Sequence, residues 1–120
     1  MSKKTLILGA SENPSRYSFL ALKKLKTFGH PVIAIGKRAG SVDGTPILTG
    51  TAPQENIDTV TLYLNATHQK LYYDFILSLN PHRIIFNPGT ENIELVKLAA
   101  EKNIKTLNAC TLVMLSTNQY

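Results

Sequence analysis

The residues best suited to chemistry in this 120-residue chain stand together near its start, in Gly9-Ala10-Ser11-Glu12-Asn13-Pro14-Ser15-Arg16. Glycine lets a backbone come close to a bound group, and Ser11 and Asn13 carry short polar side chains that hydrogen-bond anions. Arg16 adds a planar, permanently charged donor that matches phosphate oxygens. The stretch follows the apolar run Thr5-Leu6-Ile7-Leu8 and precedes a helical pattern holding Leu20, Leu22 and Leu25. A strand that hands a glycine turn to a helix start offers unpaired N–H groups at the positive end of the helix dipole, an arrangement that takes up phosphate. Ala10, Pro14, Tyr17 and Ser18 complete this candidate loop.

The dinucleotide fingerprint G-x-G-x-x-G is broken here. Counting from Gly9, Ser11 replaces the second glycine and Pro14 the third, so a longer turn before the helix is expected. The next apolar run ends in Ile35-Gly36-Lys37-Arg38. An NAD site usually places Asp or Glu there to accept from a ribose hydroxyl. Lys37 and Arg38 suit an additional phosphate on the ribose instead, as in NADP or coenzyme A.

No catalytic constellation accompanies these groups. His30 and His82 each flank a proline in turns at the far end of the chain's strands, and read as structural or solvated. His68 lies near a helix start and reads as a surface residue within reach of a ligand. Ser11 and Ser18 have no base partner in the sequence. Cys110 has no neighbouring cysteine and reads as a small buried apolar residue, and no two histidines have metal-ligand spacing. Asp43, Asp58 and Asp74 are dispersed. A single cysteine excludes an internal disulfide framework and suits a reducing, cytoplasmic setting. With 43% hydrophobic and 18% charged residues the composition is that of a folded globular protein. The formal charge of +5 favours an anionic partner. Nucleic acid is disfavoured, because no aromatic RNA-binding signature or continuous basic helix is present. No apolar run has membrane-spanning length, so no membrane partner is expected. The sequence leaves a homo-oligomer open.

These residues need elements to position them. The first helix is expected to start near Ser15 or Ser18, with either serine as its cap, and to bury a stripe of Ala21, Leu22, Leu25 and Phe28. Gly29-His30-Pro31 ends it, and Val32-Ile33-Ala34-Ile35 is a second strand. Pro46-Ile47-Leu48 is a short third strand, and Gly50 to Asn56 a loop. Thr59 to Leu64 forms the fourth strand, followed by a helix from Thr67 to Leu79 with Leu71, Tyr72, Phe75, Ile76 and Leu79 on one stripe. Ile84-Ile85-Phe86 leads into Asn87-Pro88-Gly89, a helix from Asn92 to Lys102 and a left-handed Asn103. Lys105-Thr106-Leu107 is the last strand, Cys110 to Ser116 a closing helix, and Thr117 to Tyr120 a frayed end.

That alternation specifies an α/β fold: one Rossmann-like domain over residues 1–120, with a three-layer, doubly wound parallel sheet in the order 3-2-1-4-5-6. Ligands of such sheets bind outside the carboxyl ends of the strands at the switch point beside strand one. Four loops meet there. They bring the first loop together with Gly36, Lys37 and Arg38, with Asn65 and Thr67 as a far wall, and with Pro88 and Gly89.

Gly9-Ala10-Ser11-Glu12-Asn13-Pro14-Ser15-Arg16 resembles the G-A-S-x-x-P-x-R opening of the small stand-alone CoA-binding domain family, which is akin to the CoA-binding domain of succinyl-CoA ligases. The likeness continues through Gly29-His30-Pro31-Val32-Ile33, Asn87-Pro88-Gly89 with Asn92, and Asn108-Ala109-Cys110. Ile35-Gly36-Lys37 stands where the family's second strand commonly ends in Val-Asn-Pro. The resemblance implies a nucleotide cofactor, coenzyme A or an acyl-CoA, with its pyrophosphate at Gly9 to Arg16. With that ligand, Gly89 is expected to let the pantetheine arm pass. Two other readings stay open: an NADP-dependent oxidoreductase-like domain, and a regulatory or protein-interaction module that has lost its ligand.

Overall fold

The computed structural model describes residues 2–120. Seven strands form one sheet: β1 (Thr5–Leu8), β2 (Val32–Ile35), β3 (Gly40–Val42), β4 (Thr45–Leu48), β5 (Thr59–Leu62), β6 (Arg83–Phe86) and β7 (Lys105–Asn108). Their order is β3-β4-β2-β1-β5-β6-β7. Six of them reproduce the expected parallel order, with β1 between β2 and β5. The seventh, β3, was not expected. It pairs antiparallel with β4 at the sheet edge, across a two-residue turn in which Asp43 and Gly44 both have positive φ. That is the Asp-Gly hairpin geometry whose twist matches the flanking strands.

Five helices flank the sheet: α1 (Tyr17–Thr27), α2 (Ala66–Gln69), α3 (Tyr73–Ser78), α4 (Ile93–Glu101) and α5 (Thr111–Ser116). Side chains alternate across each strand, so β1 sends Leu6 and Leu8 to one core and Ile7 to the other. The first core gathers Val60, Leu62, Ile84 and Phe86 with Phe75, Ile76, Leu95 and Ala99 of α3 and α4. The second packs Ile7, Ala34 and Ile47 against Leu22 and Leu25 of α1 and Leu115 of α5. Each fully buried leucine, isoleucine, valine or phenylalanine among them contributes roughly 1.5–3 kcal/mol.

Three expectations about the helices are corrected. α1 is capped by Arg16, not by Ser15 or Ser18, and Arg16 makes no side-chain cap bond. The longer turn delays the helix, as the loss of the fingerprint glycines predicts. Phe28, placed on the buried stripe, is 47% exposed, because it lies at the C-cap beyond the last turn. The long helix after β5 is broken: a 3₁₀ turn over Lys70–Tyr72 separates α2 from α3, and the change of pitch turns Leu71 out to 84% exposure.

The last residues do not fray. Tyr120 lies over the Arg83 guanidinium at 4.4 Å and against the His30 ring at 4.9 Å. Its hydroxyl bonds Thr5 Oγ1, and Lys3 Nζ donates to its carbonyl at 2.9 Å. An aromatic ring with a polar tip has enough buried area and bonding to hold a terminal segment down.

Candidate functional site

The carboxyl end of β1 is built by close backbone contacts. Gly9 has φ +99°, and a Cβ there would fall 3.0 Å from the Tyr63 carbonyl carbon. Gly36, at the end of β2, has no room for a side chain: a Cβ would sit 2.3 Å from the Ala10 carbonyl oxygen. The N–H groups of Gly9 and Ala10 both donate to the Ile35 carbonyl at 2.9 Å. The two glycines and Ala10, whose side chain is buried, therefore shape the site through contacts inside the chain.

Beyond Ala10 the loop closes on itself. Ser11 Oγ accepts from the Asn13 N–H at 3.0 Å, and Asn13 Oδ1 accepts from the Ser15 N–H at 3.0 Å and the Ser15 hydroxyl at 2.8 Å. The Asn13 carbonyl accepts from the Arg16 N–H at 3.0 Å. These turns consume acceptors and leave donors. Among the described residues, the N–H groups of Ser11, Glu12, Tyr17 and Ser18 donate to no other group of the chain. Pro14, with no N–H to satisfy, passes through the exposed crest, and Arg16 and Tyr17 are exposed beside it. The Ser18 side chain is buried, 4% exposed, so its contribution at this point is its N–H. The result is a donor-rich rim at the start of an eleven-residue helix, which suits an anion.

On the α2 side of this rim lies a cleft of about 140 Å³, lined by Gly9, Gly36 and Lys37 on one wall and Leu64, His68, Leu71 and Tyr72 on the other. Leu64, Leu71 and Tyr72 make it apolar, fit for a flat ring more than for a charged group. Its far wall differs from the one the sequence suggests. Asn65 caps α2, accepting from the His68 N–H at 3.0 Å, and Thr67 is exposed outside the lining. His68, read from the sequence as a surface residue within reach of a ligand, is in the lining, whereas Leu71 and Tyr72 went unrecognised there because a continuous helix would have buried them. Lys37, part of the lining, is exposed, and so is its neighbour Arg38, which lies outside the lining.

Pro88 and Gly89 are exposed across the β6 end. Gly89 has φ +91° and open space where a Cβ would be, and its N–H donates to Glu91 Oε1 at 3.0 Å. Beneath them a buried polar network fixes the rim. Asn87 donates to Thr61 Oγ1 at 2.7 Å and to the Leu62 carbonyl at 2.9 Å, and accepts from the Thr111 N–H at 2.9 Å. Gln69, fully buried, donates to the Leu64 and Thr90 carbonyls at 2.8 Å and accepts from Asn92 Nδ2 at 2.8 Å. Asn92 also bonds the Tyr73 hydroxyl, whose pKa is raised, chiefly by burial, with Glu94 adding to the effect. Cys110 is half-buried at the N-cap of α5, not enclosed in the core as expected. Among the described residues no three His, Cys, Asp or Glu side chains gather where they could hold a metal ion, and no helix is long and apolar enough to cross a membrane.

Residues 3–116 match the family described as CoA binding domain. The fold superposes with a TM-score of 0.97 on the crystal structure of an uncharacterized protein, 48% identical over 100% of this chain and 99% of that one. A hypothetical protein from Pyrococcus horikoshii OT3 is 22% identical with a TM-score of 0.87, over 97% of this chain and 83% of that one. A Thermus thermophilus protein, cell-free ID.343, is 18% identical with a TM-score of 0.87, over 99% and 91%. The last two likenesses concern the fold alone. No curated protein matches the chain.

Proposed function

The chain belongs to the CoA binding domain family, and from that premise we propose that it is a non-catalytic module that binds coenzyme A or an acyl-CoA at the carboxyl end of β1. The observation that carries the reading is the set of four unpaired N–H groups, at Ser11, Glu12, Tyr17 and Ser18, around a loop in which Ser11 Oγ and Asn13 Oδ1 are already engaged by the loop itself. These donors and the Arg16 side chain suit the diphosphate. A cleft of about 140 Å³ is far below the roughly 300–1,000 Å³ that encloses a whole drug-sized ligand. It holds one part of the cofactor, and its apolar lining suits the adenine ring between Gly9 and Tyr72. Lys37 and Arg38 at its mouth then meet the phosphate on the ribose, and the pantetheine arm leaves across Gly89.

Thermal melts with CoA, dephospho-CoA, NADP, NAD and ADP test this. A ligand at a hundred times its dissociation constant adds about 2.7 kcal/mol of stability. CoA is expected to shift the melt more than dephospho-CoA, and replacing both Lys37→Ala and Arg38→Ala is expected to make the two equal. Equal shifts in the unaltered protein would remove the assignment of Lys37 and Arg38. No shift with any of the five would overturn the binding function and favour an interaction module.

A further inference from the structure

Glu12 is the one carboxylate in a loop otherwise suited to an anion. A negative side chain beside a diphosphate repels it, so where this one points decides whether the loop works. Glu12 Oε2 accepts from the Ser41 N–H at 2.9 Å. Ser41 stands opposite Pro46 between the closely bonded pairs Gly40–Ile47 and Val42–Thr45, so its N–H faces the open edge of the sheet. The carboxylate also lies against Gly40, where a Cβ would fall 2.3 Å from its carboxyl carbon. The β3–β4 hairpin thus has a partner in the β1–α1 loop.

We infer that Glu12 is a positioning residue: by clamping the β1–α1 loop to the edge strand β3 it holds its own charge away from the anion while its backbone N–H stays turned to it. The inference rests on the reading of this loop as a diphosphate site. It gives β3 a role in binding although no residue of β3 lines the cleft. It also explains why position 40 is glycine when no positive φ requires one, since a side chain there would evict the carboxylate.

Gly40→Ala is the direct test, because the group it displaces is the free end of a flexible side chain. ADP and adenosine, titrated calorimetrically, separate the charge effect from general damage. In Gly40→Ala, ADP is expected to bind about tenfold more weakly while adenosine changes by less than about twofold. Adding Glu12→Gln to Gly40→Ala removes the displaced charge and is expected to restore most of the ADP affinity. Glu12→Asp, a methylene too short to reach Ser41, is expected to show the same ADP-selective loss without touching the edge strand, which keeps the test alive if the alanine variant does not fold. Unchanged ADP binding in these variants, a parallel loss of adenosine, or no recovery in the double variant would overturn the clamp. An unaltered protein that binds neither ADP nor adenosine would overturn the phosphate reading itself, and the clamp with it, before any variant is compared.

Discussion

At the carboxyl ends of β1 and β2 the chain leaves donors unpaired around Ser11 and Tyr17, while at the amino ends of the same sheet polar side chains are locked to one another. There Arg83 Nε donates to Thr59 Oγ1 at 2.8 Å, the Thr59 hydroxyl donates to Asp58 Oδ1 at 2.7 Å, and His30 Nδ1 accepts from the Lys3 N–H at 2.9 Å. Tyr120 closes over this group. The end proposed to receive a ligand keeps donors free and its backbone tight, whereas these polar side chains of the amino end bond one another. Loss of stability and loss of binding should therefore separate by position along the strands.

The largest expected effect falls where the tight backbone at the carboxyl ends of β1 and β2 is itself the support. Gly36→Ala places a methyl group 2.3 Å from the Ala10 carbonyl, an atom that cannot move without displacing the loop. The cost is expected to be about 3 kcal/mol, a fall in melting temperature of roughly 10 °C for a domain of this size. CoA binding should disappear together with that stability. A Gly36→Ala protein that melts normally and still binds would show that the β1–β2 junction is looser than the contact requires.

At the opposite end stability alone should change. Tyr120→Ala removes the ring from above Arg83 and beside His30 and is expected to cost about 2 kcal/mol. Water reaching Arg83 Nη2, which is buried without a partner beneath the ring, offsets part of that cost. CoA affinity is expected to stay within about twofold, because Tyr120 touches Thr5 at the start of β1 and no residue of the cleft. Calorimetric unfolding with and without CoA reads both quantities on one sample. A matching loss of affinity would mean that the two ends are coupled through β1.

The same comparison shows what the sequence could and could not disclose. The parallel order was legible because each buried strand is a short β-branched run set between turn residues, and right-handed crossovers leave few ways to wind them. Asn103 was legible because a left-handed position just past a helix is set by a residue type that tolerates it. β3 was missed although Asp43-Gly44 signals a hairpin: Gly40 and Ser41 have little strand propensity, and the edge is completed by Glu12, distant in sequence. Tyr120 was missed for a related reason. Its partners Thr5, His30 and Arg83 come from three separate strands or turns, and no local pattern announces that they converge. In the cleft, Gly9, Gly36 and Lys37 could be read by residue type, but the opposite wall depended on the 3₁₀ break at Lys70–Tyr72.

The smallest expected effect sharpens the comparison by pH. The His30 pKa is lowered from 6.5, first by burial and then by Lys3, the N-terminal charge and Arg83, with Asp58 opposing. The folded state thus binds this proton less readily than the unfolded state does. Its contribution to stability is complete above pH 6.5 and declines as pH falls below that value toward the lowered folded pKa. Protonation would also place a proton on Nδ1, where the Lys3 N–H already points. His30→Asn offers an acceptor oxygen near that position without a titration. Between pH 7.5 and 5.5 the unaltered protein is expected to lose a few degrees of melting temperature that the variant does not lose, while CoA affinity in both follows the same pH course. Parallel melting curves for the two proteins would remove His30 as the titrating group, and a pH-dependent difference in affinity would show that the closed end reports to the open one.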